Sequence, residues 1–295
     1  MTIASKNPVR NRHSTRLRTG WCGLVVLLVA VSLTEVAAGG GWVKKKRAFY
    51  GKISVGSLRS NRYYSLTGTL NDQGAQFRQT SLNLYAEYGL TNRLTVILNV
   101  PGFRSNRFAT TGRTAGIGDA MVELKYGLLT GKIPVAISVA PSLPIGKNRA
   151  LVADVNRPGS LINLPIGDGE LNVWTRAYAS LPLSSRAYVS FDGGLNLRTQ
   201  GFSNQYTVGA ELGYKVGTVW LNGTVRRLAT VGTPDPNKGS FVYGEGLAYV
   251  GYSFSAAVPV TPKLSLTVDY ANLLSGQRNV YSGPTLGIGL SVQIE

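Results

Sequence analysis

Charged and polar side chains recur between apolar neighbours along much of this 295-residue chain. Carboxylates can act as general acids or bases, and guanidinium and ammonium groups can bind anions. The candidate residues, which are such charged groups together with Asn99 and Trp174, are Glu87, Asn99, Asp119, Glu123, Lys125, Glu170, Trp174, Arg176, Asp192, Arg198, Glu211, Arg226, Glu245 and Asp269. Nothing in the sequence gives positive support to catalysis by carboxylates alone.

The residues that most enzymes use as nucleophile or base are confined to one end of the chain. His13 and Cys22 are the single His and the single Cys. Both lie in residues 1–38, which have the form of a secretory signal, with a basic start, an apolar run over 23–33 and small residues before the cleavage point. The run is about half of the roughly 20 residues that a membrane-spanning helix needs. We therefore interpret 1–38 as a signal peptide cleaved after Ala38 and not as a membrane anchor.

Removal of this segment excludes several classes of chemistry from the mature protein. Without Cys there can be no disulfide, no Cys/His zinc site and no thiol nucleophile. Without His, a Ser-His-Asp triad lacks its base. We predict that the protein is not an enzyme and that it holds no metal and no cofactor.

The stretch SLNLYAEYGLTNRLTVILNV, residues 81–100, indicates which elements position the polar groups. Leu82 and Leu84 share one face with Tyr88, whereas Glu87 lies on the other face, which is the period of two of a β-strand. After a short turn the alternation begins again and places Asn99 on a polar face. The stretch predicts a β-hairpin.

The same alternation continues to the end of the chain and predicts about twelve strands, most of them longer than the five or six residues usual in soluble sheets. Short turns alternate with longer connections at 57–78, 101–115, 146–168 and 229–241. Long strands in even number with this alternation are typical of barrels that cross a membrane. We predict an all-β protein, a transmembrane antiparallel up-and-down β-barrel over 48–295, in preference to a soluble β-sandwich. A short basic periplasmic segment at 39–47, taken to be solvated, precedes it.

In such a barrel the apolar faces meet lipid, so the polar candidates are predicted to line the lumen. Unpaired charges there are costly. Either water fills the pore, or the charges form a network across the strands, and for each residue a structural salt bridge and a contact with a solute both remain open. Aromatic side chains such as Trp174 either fill the barrel or contact a solute.

The chain has a formal net charge of +17, and much of the excess falls in the predicted outer loops. The basic candidates there are Arg59, Arg62, Arg104, Arg107, Arg113, Lys147, Arg149 and Arg157. Their predicted partners are lipopolysaccharide phosphates, because Arg binds phosphate bidentately, or anionic solutes steered towards the mouth. They lack the interleaved aromatics of a nucleic-acid-binding face, so no nucleic acid is predicted as a partner.

Two segments, YAEYGLTNRLTVILNVP at 85–101 and GIGDAMVELKYGLL at 116–129, resemble a known outer-membrane family. It is the family of transporters named for the MetA pathway of phenol degradation, distantly grouped with FadL-type hydrocarbon channels. Asn92 stands where that family more often has Asp. The resemblance implies passive uptake of small hydrophobic or aromatic compounds.

Together these features predict a channel or transporter in the outer membrane of a Gram-negative bacterium, through which a small solute diffuses. Outer-membrane lipid and lipopolysaccharide are the predicted surroundings, and no oligomeric state is predicted. The alternative is a non-transporting barrel with a structural role in envelope or surface assembly, such as a biofilm-associated one. A filled lumen favours the alternative, and an open lumen favours transport.

Overall fold

The computed structural model describes residues 40–237 and 244–295, so the predicted signal peptide at 1–38 lies outside the described residues. The strands in this part of the chain are β1 (Phe49–Tyr64), β2 (Leu70–Gly89), β3 (Leu94–Phe108), β4 (Thr114–Gly116), β5 (Ala120–Leu129), β6 (Val135–Leu143), β7 (Leu151–Ala153), β8 (Leu161–Asn163), β9 (Asn172–Ser184), β10 (Ala187–Arg198), β11 (Gln205–Val216), β12 (Val219–Thr230), β13 (Ala248–Pro259), β14 (Leu264–Arg278), β15 (Val280–Ser282) and β16 (Thr285–Ile294). Over these residues we find no helix with the length and apolar character needed to cross a membrane.

Alternation of side chains between two environments explains why these segments are strands. In β16, Leu286, Ile288 and Leu290 are exposed on the outside, whereas Ser291 is buried on the inside. A strand directs successive side chains to opposite faces, so one period-two pattern serves both environments. The outer face is therefore apolar and the inner face polar, the reverse of a soluble barrel.

Twelve strands form one closed antiparallel barrel, as the sequence predicted. They are β1, β2, β3, β5, β6, β9, β10, β11, β12, β13, β14 and β16. Closure occurs at β1, where Phe49 lies opposite Tyr88 of β2 on one side and Ile294 of β16 on the other. Every wall strand thus has two hydrogen-bonded neighbours, which a membrane interior requires because it offers no hydrogen bonds to an unpaired edge.

The two ends of the barrel differ in their connections. At one end, the turn end, neighbouring strands are joined by short links such as the two residues between β11 and β12. Gly217 has a φ of 59° in that link, the left-handed conformation that two-residue hairpin turns need and that glycine adopts without strain. The opposite end, the loop end, carries the longer connections, the longest of which joins β6 to β9 and contains the β7–β8 hairpin.

The strands β1, β2 and β3 extend further towards the loop end than the sequence predicted. The predicted loop at 57–78 is mostly strand, because β1 runs to Tyr64 and β2 starts at Leu70. The predicted loop at 101–115 begins with the last part of β3, which ends at Phe108. The outward positions here carry polar residues such as Arg59, which broke the apolar alternation on which the prediction relied. Strand pairing continues beyond the level at which the outer face needs apolar side chains.

The principal cluster of buried apolar side chains lies inside the barrel near the loop end. Phe77, Phe108, Leu164 and Tyr281 form it, and the rings of Phe77 and Tyr281 stack with centroids 4.0 Å apart. Three of these residues come from the extended strands and from β15, whereas Leu164 comes from the β6–β9 connection. The cluster therefore fixes that connection inside the barrel.

Candidate functional site

The inner wall near the turn end is partly covered by residues 40–47, here called the N-terminal strap. The Gly41 amide donates to Ser180 Oγ at 2.8 Å, and the Lys44 amide donates to Thr95 Oγ1 at 2.8 Å. A Cβ on Gly41 would lie 2.0 Å from the Pro134 carbonyl oxygen, so only glycine allows this approach. Because the contacts reach β3, the β5–β6 turn and β9 in succession, the strap follows the wall across the strands.

Glu87 is tied to the strap instead of facing open solvent. It is buried, accepts a hydrogen bond from Tyr85 Oη at 2.5 Å and lies 3.7 Å from Lys44 Nζ. The sequence predicted that the basic run starting at Lys44 is solvated. Residues 45–47 are exposed, but the Lys44 side chain turns inward to this carboxylate because desolvated charges need a partner.

Glu123 is the centre of a buried polar network between β5 and β9. Arg176 Nη1 lies 3.1 Å from one carboxylate oxygen, and Tyr178 Oη donates to the other at 2.7 Å. Lys125 Nζ lies 4.4 Å from the centre of the Tyr178 ring, and the Arg176 guanidinium lies 4.8 Å from the Trp174 ring. In this part of the wall the predicted lumen residues neutralise one another's charges and fill one another's hydrogen bonds, which is the predicted network across the strands.

Two other ion pairs remain accessible to solvent inside the barrel. Arg226 Nη2 lies 2.8 Å from Asp192 Oδ1, and the two side chains are 47% and 12% exposed. Lys52 Nζ lies 2.8 Å from Asp269, with side chains 21% and 28% exposed. Together these four residues form the open sector of the wall, which spans β10, β12, β14 and β1. Exposed charges on an inward face indicate that water reaches this sector.

Gly209 makes the Asp192–Arg226 pair possible, although the sequence-based prediction did not include it. In register, Gly209 lies opposite Asp192 on one side and Arg226 on the other. A Cβ there would lie 2.7 Å from Asp192 Oδ1 and 3.0 Å from Arg226 Nε. The only signal in the sequence was a glycine at an inward position. Its role can be recognised only when the register of the three strands is known.

Glu211 and Asn99 complete the predicted inner residues of the strands. Glu211 accepts hydrogen bonds from Tyr188 Oη at 2.7 Å and from Thr224 Oγ1 at 3.3 Å. The Tyr188 ring also meets Trp42 of the strap edge-on, with centroids 5.0 Å apart. Asn99 is exposed on the inward face of β3. Tyr188 and Thr224 are further inward residues, which the alternation also predicts but which are not among the candidate residues.

A cavity of about 320 Å³ lies against the wall between β12, β14 and β1. Inward residues that line it include Leu58, Thr224, Arg226, Tyr249, Ser253 and Tyr281. It combines aromatic rings with hydroxyl groups and one accessible guanidinium. This arrangement can hold a small molecule with an apolar body and an anionic or hydrogen-bonding group.

Three predicted lumen acids do not lie on strands, which corrects the sequence-based assignment. Asp119 precedes β5, Glu170 precedes β9 and Glu245 precedes β13. Asp119 accepts the amides of Gly146 at 2.8 Å and Asp168 at 2.7 Å. The alternation of residue types continues into these connections, and the prediction therefore started the strands too early.

Glu170 and Glu245 also hold segments at the loop end, Glu245 through backbone amides as Asp119 does and Glu170 through a guanidinium group. Glu245 is fully buried and accepts the amides of Ser203 at 2.9 Å and Asp235 at 3.2 Å. Glu170 is also fully buried and pairs with Arg198. Burial raises the pKa of the Glu170 carboxyl to about 7 although Arg198 acts in the opposite direction. In the described part of the chain, no three His, Cys, Asp or Glu side chains are grouped to hold a metal ion.

The connection between β6 and β9, residues 144–171, is here called the inward loop, because it folds into the mouth of the barrel. Leu164 and Ile166 are fully buried in it. Arg104 Nη1 donates to the Ile166 carbonyl at 2.7 Å, and Asn106 Nδ2 donates to the Pro165 carbonyl at 2.7 Å. Arg104, predicted to bind anions from an outer loop, is therefore an inward residue of β3 that anchors this loop.

The other basic candidates fall into two groups. Arg59 and Arg62 of β1 and Arg107 of β3 are exposed strand residues, which corrects their predicted place in loops. The other four, which are exposed and lie between strands, are Arg113, Lys147, Arg149 and Arg157. The predicted outer-loop set is thus divided between the wall and the loops.

A closed barrel with an apolar outer face and a polar, partly wet inner face defines a transmembrane β-barrel of the outer-membrane type. Among solved structures, the chain is similar to an outer membrane channel from Pseudomonas putida F1, at 19% identity and a TM-score of 0.59, with 88% of this chain and 100% of that chain covered.

The chain is also similar to the NanC porin, at 12% identity and a TM-score of 0.50, with 83% of this chain and 100% of that chain covered. A third similar structure is the translocator domain of the autotransporter NalP from Neisseria meningitidis, at 8% identity and a TM-score of 0.50, with 84% and 88% covered. No family model matches the chain. No curated protein matches it either. The similarity concerns the fold, and membership of the family named for the MetA pathway stays a prediction.

Proposed function

We propose that the protein is a passive channel for small solutes in the outer membrane of a Gram-negative bacterium. The open sector carries this proposal. Arg226 is 47% exposed on an inward face, and the nearby Lys52–Asp269 pair is also accessible. Charged groups within a barrel wall keep such exposure only where water enters, and a wet sector is a route for small solutes. The apolar outer face supports the membrane location.

The cavity beside the open sector supports a narrower solute class. Tyr249 and Tyr281 provide aromatic surface, and Arg226 provides an accessible positive charge. A small aromatic or hydrophobic compound with an anionic or hydrogen-bonding group suits this lining. The same class follows from the resemblance to the transporters named for the MetA pathway, and we propose that relationship together with the substrate class.

A non-transporting barrel with a structural role in the envelope, including biofilm-associated surface assembly, is the second candidate. The N-terminal strap and the inward loop favour it, since both occupy space inside the wall. The buried Glu123–Arg176 network fills the lumen beside the open sector, since its member Tyr178 lies opposite Asp192. The two candidates differ in whether the open sector conducts.

Single-channel conductance of the purified, refolded mature protein in a planar bilayer decides between them. We expect stable conductance with a preference for anions, because Arg226 is more exposed than Asp192. Arg226→Gln should weaken that preference. Arg157→Gln is the control: it removes an exposed charge from the inward loop, far from the pair in sequence, and should alter the preference less. A correctly folded barrel that never conducts would refute the channel and favour the structural role.

A further inference from the structure

Outward side chains form ordered rows across β1, β2 and β3, and these rows continue on both sides of one bulge in the β2–β3 register between Asn83 and Leu82. The rows, from the turn end to the loop end, are Phe49–Tyr88–Val96, Gly51–Ala86–Leu98, Ile53–Leu84–Val100, Val55–Leu82–Phe103, Ser57–Thr80–Ser105 and Arg59–Arg78–Arg107. Rows with aromatic and aliphatic side chains are thus followed by one row of hydroxyl groups and then by one row of guanidinium groups. We call the last one the arginine row.

The position of the arginine row along the barrel is set by strand geometry. Ten residues separate Phe49 from Arg59 along β1, which amounts to about 34 Å at 3.4 Å per residue. With a strand tilt of about 40°, the separation along the barrel axis is about 26 Å, which matches the height of roughly 25 Å of the apolar band of outer-membrane barrels. With Phe49 and Tyr88 at the inner aromatic border, the arginine row reaches the level of the outer lipid headgroups.

The arginine row has no acidic partner among the ion pairs of the described residues. Like charges directly opposite each other on neighbouring strands destabilise a sheet. Arg78 Nε donates to Gln76 Oε1 at 2.6 Å, which uses one of its five N–H groups. Asp72 lies further towards the loop end, opposite Arg62, and accepts the Gly74 amide at 2.9 Å. The row therefore presents uncompensated positive charge.

One further guanidinium continues the row on the far side of β3. The last recorded pair of β3 with β4 joins Asn106 and Thr114, so Arg113 follows at the position beside Arg107. Thr114 is buried and donates inward to the Leu164 carbonyl, whereas Arg113 is exposed. Neighbouring strands are about 4.8 Å apart, so the four side chains extend over about 14 Å.

We propose that the arginine row binds the phosphate groups of the lipid headgroups of the outer leaflet, and that a lipid with two phosphates on one headgroup is the preferred ligand. Guanidinium groups bind phosphate oxygens bidentately. A ligand with two anionic groups neutralises several neighbouring arginines at once and removes their mutual repulsion. This inference rests on the proposed outer-membrane location. It does not depend on conduction, since the row lies on the outside of the wall.

The test measures the affinity of purified, lipid-free mature protein in detergent for diphosphorylated lipid A. The row variant is Arg59→Gln/Arg78→Gln/Arg107→Gln, and the control, which loses the same charge, is Lys147→Gln/Arg149→Gln/Arg157→Gln. Loss of three charge-assisted contacts should weaken binding by at least about tenfold in the row variant, and the control should change by less than about threefold. If the triple variant folds poorly, Arg78→Gln alone is measured in its place. Arg78 lies at the centre of the row, so its loss should weaken binding by an intermediate factor.

Several results would overturn the proposal. One is equal affinity of the row variant and the unmodified protein, and another is an equal loss in the control. Binding of inorganic phosphate as tight as that of lipid A would show an anion site without headgroup selectivity, which also contradicts the proposal. Conductance of the same samples separates the two ideas: a folded barrel that binds lipid A but does not conduct refutes the channel and leaves the lipid site standing.

Discussion

The ion pair between Asp192 and Arg226 exists because the residue between them has no side chain. Charges on neighbouring strands of a barrel wall stand side by side, but these two are separated by one whole strand, and they meet over Gly209. Tyr188 likewise lies over a glycine, Gly213 of the neighbouring strand β11, and from there donates to Glu211 of that strand. At the residue scale, inward glycines decide which polar groups can pair, and hence where the lumen is filled.

Gly209→Ala tests this role. The new Cβ would overlap the ends of two flexible side chains and no backbone atom, so the fold should lose only about 1 kcal/mol, the low end for overpacking. The pair should separate, and the reversal potential of the channel should shift. Gly193→Ala is the control, because a Cβ there meets only the Thr207 carbonyl at an ordinary 3.7 Å. An unchanged reversal potential in Gly209→Ala would contradict a role of this pair in selectivity.

Glu170 provides a dependence of stability on pH. Its carboxyl has a pKa of about 7 in the folded protein, because it is buried, against an ordinary value of 4.5. Between these values the folded state binds more protons than the unfolded state, so the contribution of this group to stability is complete below pH 4.5 and is lost as the pH rises through 7.

Chemical unfolding of the unmodified protein and of Glu170→Gln from pH 4 to pH 8.5 measures that contribution. The Gln variant, which cannot ionise, should gain stability relative to the unmodified protein as the pH rises from about 4.5 to about 7. Above that window the difference should become constant. A difference between the two proteins that does not vary with pH would show that the carboxyl titrates normally.

At the element scale, two segments enter the barrel from opposite ends. Side chains that accept hydrogen bonds from backbone amides help to hold both segments: Ser180 and Thr95 hold the N-terminal strap, and Asp119 holds the inward loop together with Arg104 and the buried apolar cluster. Such contacts order a segment without adding it to the sheet. We therefore expect these two segments, which lack the strand pairing of the wall, to set the width of the proposed pore.

Displacement of the strap should widen the turn end. Gly41→Val would place a side chain 2.0 Å from a backbone oxygen of Pro134, which cannot move aside cheaply. We expect a higher single-channel conductance with an unchanged barrel, and Lys46→Val, at an exposed position in the same segment, as a neutral control. If conductance stays the same after Gly41→Val, the strap does not limit ion flow.

Release of the inward loop is tested by Asp119→Ala. The loop loses two amide contacts to a carboxylate, each worth about 1.5–3 kcal/mol, so its local opening should increase by more than about tenfold. Trypsin cleavage after Arg149 and Arg157 reports the opening, and Asp72→Ala, another loop-end acid that accepts an amide, is the control. Equal cleavage rates in both variants would exclude Asp119 as the anchor.

At the scale of the whole molecule, the barrel was predictable because lipid demands apolar outward residues at every second position, as in β16. The prediction failed where that demand ends. Outward Arg59 in β1 was assigned to a loop, and inward acids such as Glu245 were assigned to strands. The contacts of Asp119 and Gly209 depend on register and on long-range folding of the chain, which a local pattern of residue types does not contain.

Depth in the membrane should determine how the outer wall tolerates charge. Leu290 lies opposite Ile53 in the middle of the apolar rows, whereas Ile294 lies opposite Phe49 at the border. Leu290→Arg should destabilise the barrel in lipid vesicles by about 2–4 kcal/mol, and Ile294→Arg by about 0–1 kcal/mol. Reversible urea unfolding in vesicles gives both values, and similar losses at the two positions would place the membrane elsewhere.

The pairing of β1 with β16 has a consequence for the order in which the barrel folds. The wall closes where Phe49 meets Ile294, at nearly opposite ends of the described chain. The entropy lost in joining such distant segments grows with the length of chain between them, so the local hairpins form first and the seam joins last. Until then, β1 and β16 are edges with unpaired amides and carbonyls, able to pair with another copy. Because β16 is synthesised long after β1, the unfinished sheet must be kept from pairing with other copies until β16 is available to close it.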